Sequence, residues 1–109
     1  MLIEPEQRRW YEETLVEAAR ESLDFNAAEM AKRGRTDWTL ELEGEYPETR
    51  VVVRCRQRGE PLVKCFPIWN DDYFGWQEER DGPREAGGIL AINVYMPGGG
   101  WARDRGGRS

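Results

Sequence analysis

The stretch from Thr49 to Pro67, TRVVVRCRQRGEPLVKCFP, constrains the fold more than any other part of the chain. Val51, Val52 and Val53 favour an extended backbone, because stiff β-branched side chains fit the pleat of a strand. Alternation then sorts the side chains: Val51, Val53 and Cys55 point to a dry face, and Arg50, Val52, Arg54, Arg56 and Arg58 to a wet one. Gly59-Glu60-Pro61 supplies a three-residue turn, and Leu62 to Phe66 returns as a second strand with Val63 and Cys65 on the dry side. This register sets Cys55 opposite Cys65, Arg54 opposite Phe66 and Arg56 opposite Lys64, and a slip of one residue undoes all three pairings.

Upstream, residues 5 to 33 have the marks of a helix. Pro5 suits a first helical turn, acidic residues crowd the start, Lys32 and Arg33 lie at the end, and Gly34 is a natural stop. Tyr11, Leu15, Ala18, Ala19, Leu23, Ala27 and Met30 form an apolar stripe, whose alanines predict close approach to a sheet. A continuous helix is the preferred reading; the alternative is a break at Asn26, which with Glu29 has the spacing of a cap. Residues 37 to 43 alternate as a strand, with Trp38, Leu40 and Leu42 inward and Glu41 and Glu43 beside the arginines of the hairpin.

Downstream, Tyr73 to Glu78 is expected as a strand with Gly75 at a bulge, and Asp81-Gly82-Pro83 as a turn. Ile89 to Met96 is expected as the most apolar strand, with Leu90, Ile92, Val94 and Met96 facing the helix. The fold class is therefore α+β: a long N-terminal helix packed on a curved antiparallel meander sheet of about five strands. Residues 1–100 form a single domain, and 101–109 a short, flexible, Arg/Gly-rich tail.

The chemistry available is limited. Histidine is absent, which removes the commonest general base and metal ligand and excludes Ser-His and Cys-His nucleophile pairs. Cys55 and Cys65 match no zinc spacing, and they read as small buried hydrophobes rather than a redox pair. No metal or cofactor is implied. The Gly98-Gly99-Gly100 run lacks the Lys and Ser/Thr of a phosphate loop. A net charge of −5 argues against nucleic acid as the partner. No apolar run is long enough to cross a bilayer, and the N-terminus lacks the features of a signal peptide, so a cytoplasmic location is expected.

Two candidate surfaces remain. The first is aromatic: Trp69, Tyr73, Phe74 and Trp76 cannot all enter so small a core, and partly exposed aromatics anchor interfaces. Asp71, Asp72, Glu78 and Glu79 would rim it. The second is basic: Arg56, Arg58 and Lys64, the turn end of the arginine stripe, have fewer acids nearby than Arg50 and Arg54. For the stripe as a whole, cross-strand pairing with Glu41 and Glu43 is the stronger reading. The expected function is that of a non-enzymatic protein-binding module of adaptor, chaperone-like, immunity or antitoxin type. It would contact another protein, or a second copy of itself as a homodimer, through residues 69–76 and a sheet face or edge. The alternative is a small-ligand or enzyme pocket between helix and sheet, using Asp71, Asp72 or Glu78 with Tyr73. A weaker third is nucleic-acid binding through the arginine face.

Overall fold

The computed structural model describes residues 4–69, 82–95 and 100–105. In chain order the elements are α1 (Pro5–Phe25), α2 (Ala27–Lys32), β1 (Arg35–Glu43), β2 (Arg50–Gln57), β3 (Glu60–Pro67), α3 (Gly82–Tyr95) and β4 (Ala102–Arg103). The strands form one antiparallel sheet in the order β1-β2-β3-β4, and the N-terminal helix packs on it. The architecture is α+β, with four strands among the described residues where about five were expected. The strand expected over residues 73–78 lies outside the described residues.

The helix expected over 5–33 breaks at Asn26, the alternative reading. Asn26 does not cap α2 with its side chain; its Nδ2 donates to the Ser22 carbonyl at 2.8 Å, closing the end of α1. The buried face of these helices is Tyr11, Leu15, Val16, Ala19, Leu23 and Met30, close to the stripe read from the sequence.

Residues 89–95 of the expected 89–96 strand are instead part of α3, and Met96 lies outside the described residues. Pro83 occupies its first turn, and Gly87, Leu90, Ala91 and Val94 are its buried residues, a helical rather than an alternating period. Ile92, expected inward, is 55% exposed. The alanines of α1 therefore meet a second helix. A Cβ at Gly87 would collide with the Leu15 carbonyl oxygen and come within 2.8 Å of the Ala18 Cβ, so the helices touch where neither has bulk.

The central hairpin forms, with a different turn and register. Arg58 and Gly59 have φ of 53° and 86°, the pattern of a two-residue type I′ turn. Gln57 closes it against Glu60, and Cys55 then faces Leu62, Val53 faces Lys64 and Val51 faces Phe66. Directly opposed residues share a face. Leu62, Lys64 and Phe66 therefore lie on the core side, and Val63 and Cys65 on the other, the reverse of the expectation. Cys55 is buried and Cys65 exposed, on opposite faces, and both are free thiols.

In β1 a bulge places Asp37 and Trp38 opposite the single residue Cys55, with Asp37 at a φ of 56°. The extra residue lets Arg35 and Leu40 point to the same, inner face although their numbers differ in parity. Arg35 is 4% exposed. Its Nε donates to Gln57 Oε1 at 2.9 Å and its Nη1 to the Val94 carbonyl at 2.7 Å, and its guanidinium lies 4.7 Å over the Trp101 ring. β4 extends this closure: Ala102 and Arg103 pair with Val63 and Leu62, and the Asp104 N–H donates to the Pro61 carbonyl at 2.9 Å.

Candidate functional site

The exit from β3 positions the first aromatic candidate. Ile68 is 4% exposed, and its N–H donates to the Thr49 carbonyl at 3.0 Å. With Ile68 anchored, the next residue, Trp69, is directed outward and is 67% exposed. Across from it, α3 presents Ile89 and Ile92, one helical turn apart and each more than half exposed. Between these elements lies a cleft of about 380 Å³, floored by Leu15, Ile68 and Leu90 and walled by Phe66, Trp69, Ile89 and Asn93. Among the described residues, no charged side chain lines it. Asn93 directs its Nδ2 to the Ile89 carbonyl at 3.0 Å, so part of its polarity is already engaged.

The other expected aromatics, Tyr73, Phe74 and Trp76, lie outside the described residues, as do Asp71, Asp72, Glu78 and Glu79. The basic candidates are not brought together. Arg56 is on the open face, 3.9 Å from Asp37, with its Nη1 donating to the Gly59 carbonyl at 3.0 Å. Arg58 sits in the turn itself and is exposed. Lys64 is on the core-side face, with its Nζ 5.0 Å from the Phe66 ring centroid and 5.9 Å from that of Trp101. Elsewhere on the open face the arginines pair across strands: Arg50 with Glu43 at 3.4 Å, and Arg54 with Glu41 at 3.2 Å and Asp104 at 3.3 Å. Exposed pairs of this kind each contribute at most about 1 kcal/mol, and they leave little unpaired positive charge for a polyanion.

Two features of the site region are not legible in the sequence. The α3 contribution is hidden when 89–96 is read as a strand, although the buried positions 87, 90, 91 and 94 carry a helical signal. The Arg35–Trp101 clasp is hidden because the two residues stand far apart in the chain, and their spacing has no local pattern. Burial pushes the Cys55 thiol pKa up, and the nearby Arg35 charge partly opposes this, so Cys55 is not an activated thiolate. Among the described residues, no group of three His, Cys, Asp or Glu side chains could hold a metal ion. No described helix is long and apolar enough to cross a membrane. Comparison of the chain with protein-family models, curated sequences and solved structures finds no match.

Proposed function

We propose that the protein is a non-enzymatic binding module that receives apolar side chains of another protein on the surface formed by Trp69, Ile89 and Ile92. One observation carries this reading: Trp69, Ile89 and Ile92 are each more than half exposed, and the first two border a cleft with no charged residue among its described lining. Hydrating such a surface is unfavourable, and covering it recovers roughly 25 cal/mol per Å² before the costs of association. Trp69 has the character of an interface anchor, and Tyr73, Phe74 and Trp76 follow it closely in the chain. A second copy of the chain is one such partner, giving the homodimer expected from the sequence. Two free thiols fit a reducing, cytoplasmic setting.

The test compares wild type with Trp69→Ala and with Ile89→Ser/Ile92→Ser, which change exposed side chains and leave the buried face of α3 intact. Sedimentation equilibrium over a range of concentrations reads self-association, and quantitative affinity capture reads other partners. Both variants should lose the association. Equal self-association and equal partner recovery across all three proteins would sink the proposal.

The cleft volume supports one further reading, since 380 Å³ lies within the range of small-molecule pockets. A displaceable apolar fluorophore that saturates at one site per chain, in a protein that remains monomeric, would favour a small apolar ligand instead.

A further inference from the structure

α3 has a second face, opposite the one that is buried. Glu85, Gly88, Ile89 and Ile92 recur along it at spacings of three and four, on the far side of the helix from Gly87, Leu90 and Val94. Ile89 and Ile92 are 54% and 55% exposed, and nothing lies within 4 Å of where a Gly88 Cβ would stand. The face therefore sets projecting side chains beside a gap. From Ala86 to Tyr95 no residue is charged. The chain as a whole carries −5, so two copies repel over most of their surface and least along this helix.

Charges of opposite sign flank the two ends of this neutral stretch. Glu85 is exposed in the first turn of α3 and makes no ion pair among the described residues. At the other end stands Arg33, exposed at the end of α2, with its guanidinium 4.8 Å over the Tyr95 ring. It too makes no ion pair among the described residues. The arginines Arg50, Arg54 and Arg56 of the open sheet face, by contrast, all have acidic partners within the chain. Glu85 and Arg33 are too far apart along α3 to meet in one copy, because the helix rises about 1.5 Å per residue between Glu85 and Tyr95.

We infer that two copies of the chain pack through α3, antiparallel, about a two-fold axis at the level of Leu90. This rests on the apolar surface proposed above and names its partner. In an antiparallel pair, residues equally far from the axis on opposite sides come level with each other. Ile92 of each copy then seats at Gly88 of the other. Glu85 of each comes level with Tyr95 of the other, where Arg33 supplies the opposite charge. A two-fold contact makes each pairing twice. The isoleucines supply the driving force, and the charges fix orientation and register. A parallel pair would set Glu85 against Glu85 and Arg33 against Arg33. Arg84 stays clear of the contact line, because one residue along a helix turns the side chain by about 100°.

The experiment compares the full chain with Glu85→Lys, with Arg33→Glu and with an equimolar mixture of the two variants, by sedimentation equilibrium. Wild type should dimerise with a Kd of about 1–100 µM. Each reversal sets like charges together at both symmetric pairs and should weaken self-association by about tenfold or more. The mixture should regain it. There the introduced lysine of one variant faces the introduced glutamate of the other, and native Arg33 faces native Glu85. Both positions are exposed, so urea midpoints at low concentration should stay near that of wild type. The inference is overturned if wild type is still monomeric at about 1 mM, or if the mixture associates no better than either variant alone. A third outcome separates this packing from the surface it uses. If Ile89→Ser/Ile92→Ser abolishes association while both charge reversals leave it unchanged, the α3 packing is overturned and the apolar binding surface stands.

Discussion

A guanidinium with 4% exposure and no carboxylate beside it among the described residues needs compensation of several kcal/mol. Arg35 obtains it from three neutral sources: the amide oxygen of Gln57, the Trp101 ring and the Val94 carbonyl. The last lies in the final turn of α3, where carbonyls lack helical partners and the dipole is negative. Cys55 belongs to the same neighbourhood, and its raised pKa has a consequence for stability. The folded state holds the thiol proton more tightly than the unfolded chain does. Between the ordinary thiol pKa of the unfolded chain and the higher folded one, the native state therefore binds more protons, and stability falls as pH rises. Below that window the contribution is fully present. Urea titrations from pH 7 to 10 should show an alkaline loss for wild type that is shallower in Cys55→Ala, whose stability at pH 7 is lower because of the cavity. Parallel slopes for the two proteins would exclude thiol ionisation as the source. The inward position of Cys55 is legible from its alternation with Val51 and Val53. That of Arg35 is not, because a charged residue next to Gly34 reads as surface until the bulge at Asp37 turns it inward.

At the scale of elements, the valine run announces β2, but the register of its partner depends on which residues make the turn. Gly59-Glu60-Pro61 looks like a loop because it holds glycine and proline, yet Arg58 accepts a φ of 53° and the strand restarts at Glu60. That single difference exchanges the faces of Val63 and Lys64. The α3 segment is ambiguous for a related reason. Ile89 to Met96 suits either an alternating or a helical period, and two preceding glycines argue against a helix because each costs about 1 kcal/mol relative to Ala. Tertiary contact resolves the conflict at Gly87, where the absence of a Cβ admits α1. Gly88 has no such role: nothing lies within 4 Å of where its Cβ would stand. Adjacent substitutions should therefore act in opposite directions. Gly88→Ala should stabilise by about 0.5–1 kcal/mol through helix propensity alone. Gly87→Ala should destabilise by about 1–3 kcal/mol, because the helices must separate or bend. Denaturation midpoints check both, and a stabilising Gly87→Ala would mean that the α1–α3 contact is not as close as described.

For the whole molecule, the question is whether the last residues are an appendage or part of the structure. Composition suggests an appendage: residues 101–109 hold three arginines and two glycines in nine positions. Contacts show otherwise for the first five. Trp101 packs against the core, stacks on Arg35 and meets the Phe66 ring edge-on at 6.4 Å between centroids. Arg103 pairs with Glu60, Asp104 with Arg54, and β4 covers part of the β3 edge that would otherwise offer unpaired backbone groups. The Arg103–Glu60 pair is exposed and contributes little, and the Asp104–Arg54 pair is more buried; burial of the tryptophan stabilises the fold more than the exposed pair does. A chain ending at Gly100 should therefore lose about 2–4 kcal/mol, seen as a lower urea midpoint with a similar m-value. In the full-length chain, Trp101→Phe should keep most of the stability. It retains a ring for Arg35 and removes the indole Nε1, which is buried without a hydrogen-bond partner among the described residues. Trp101→Ala should reproduce most of the truncation. If all three proteins instead unfold within about 0.5 kcal/mol of wild type, Arg35 is compensated by α3 and Gln57 alone, and residues 101–105 contribute no stability to the fold.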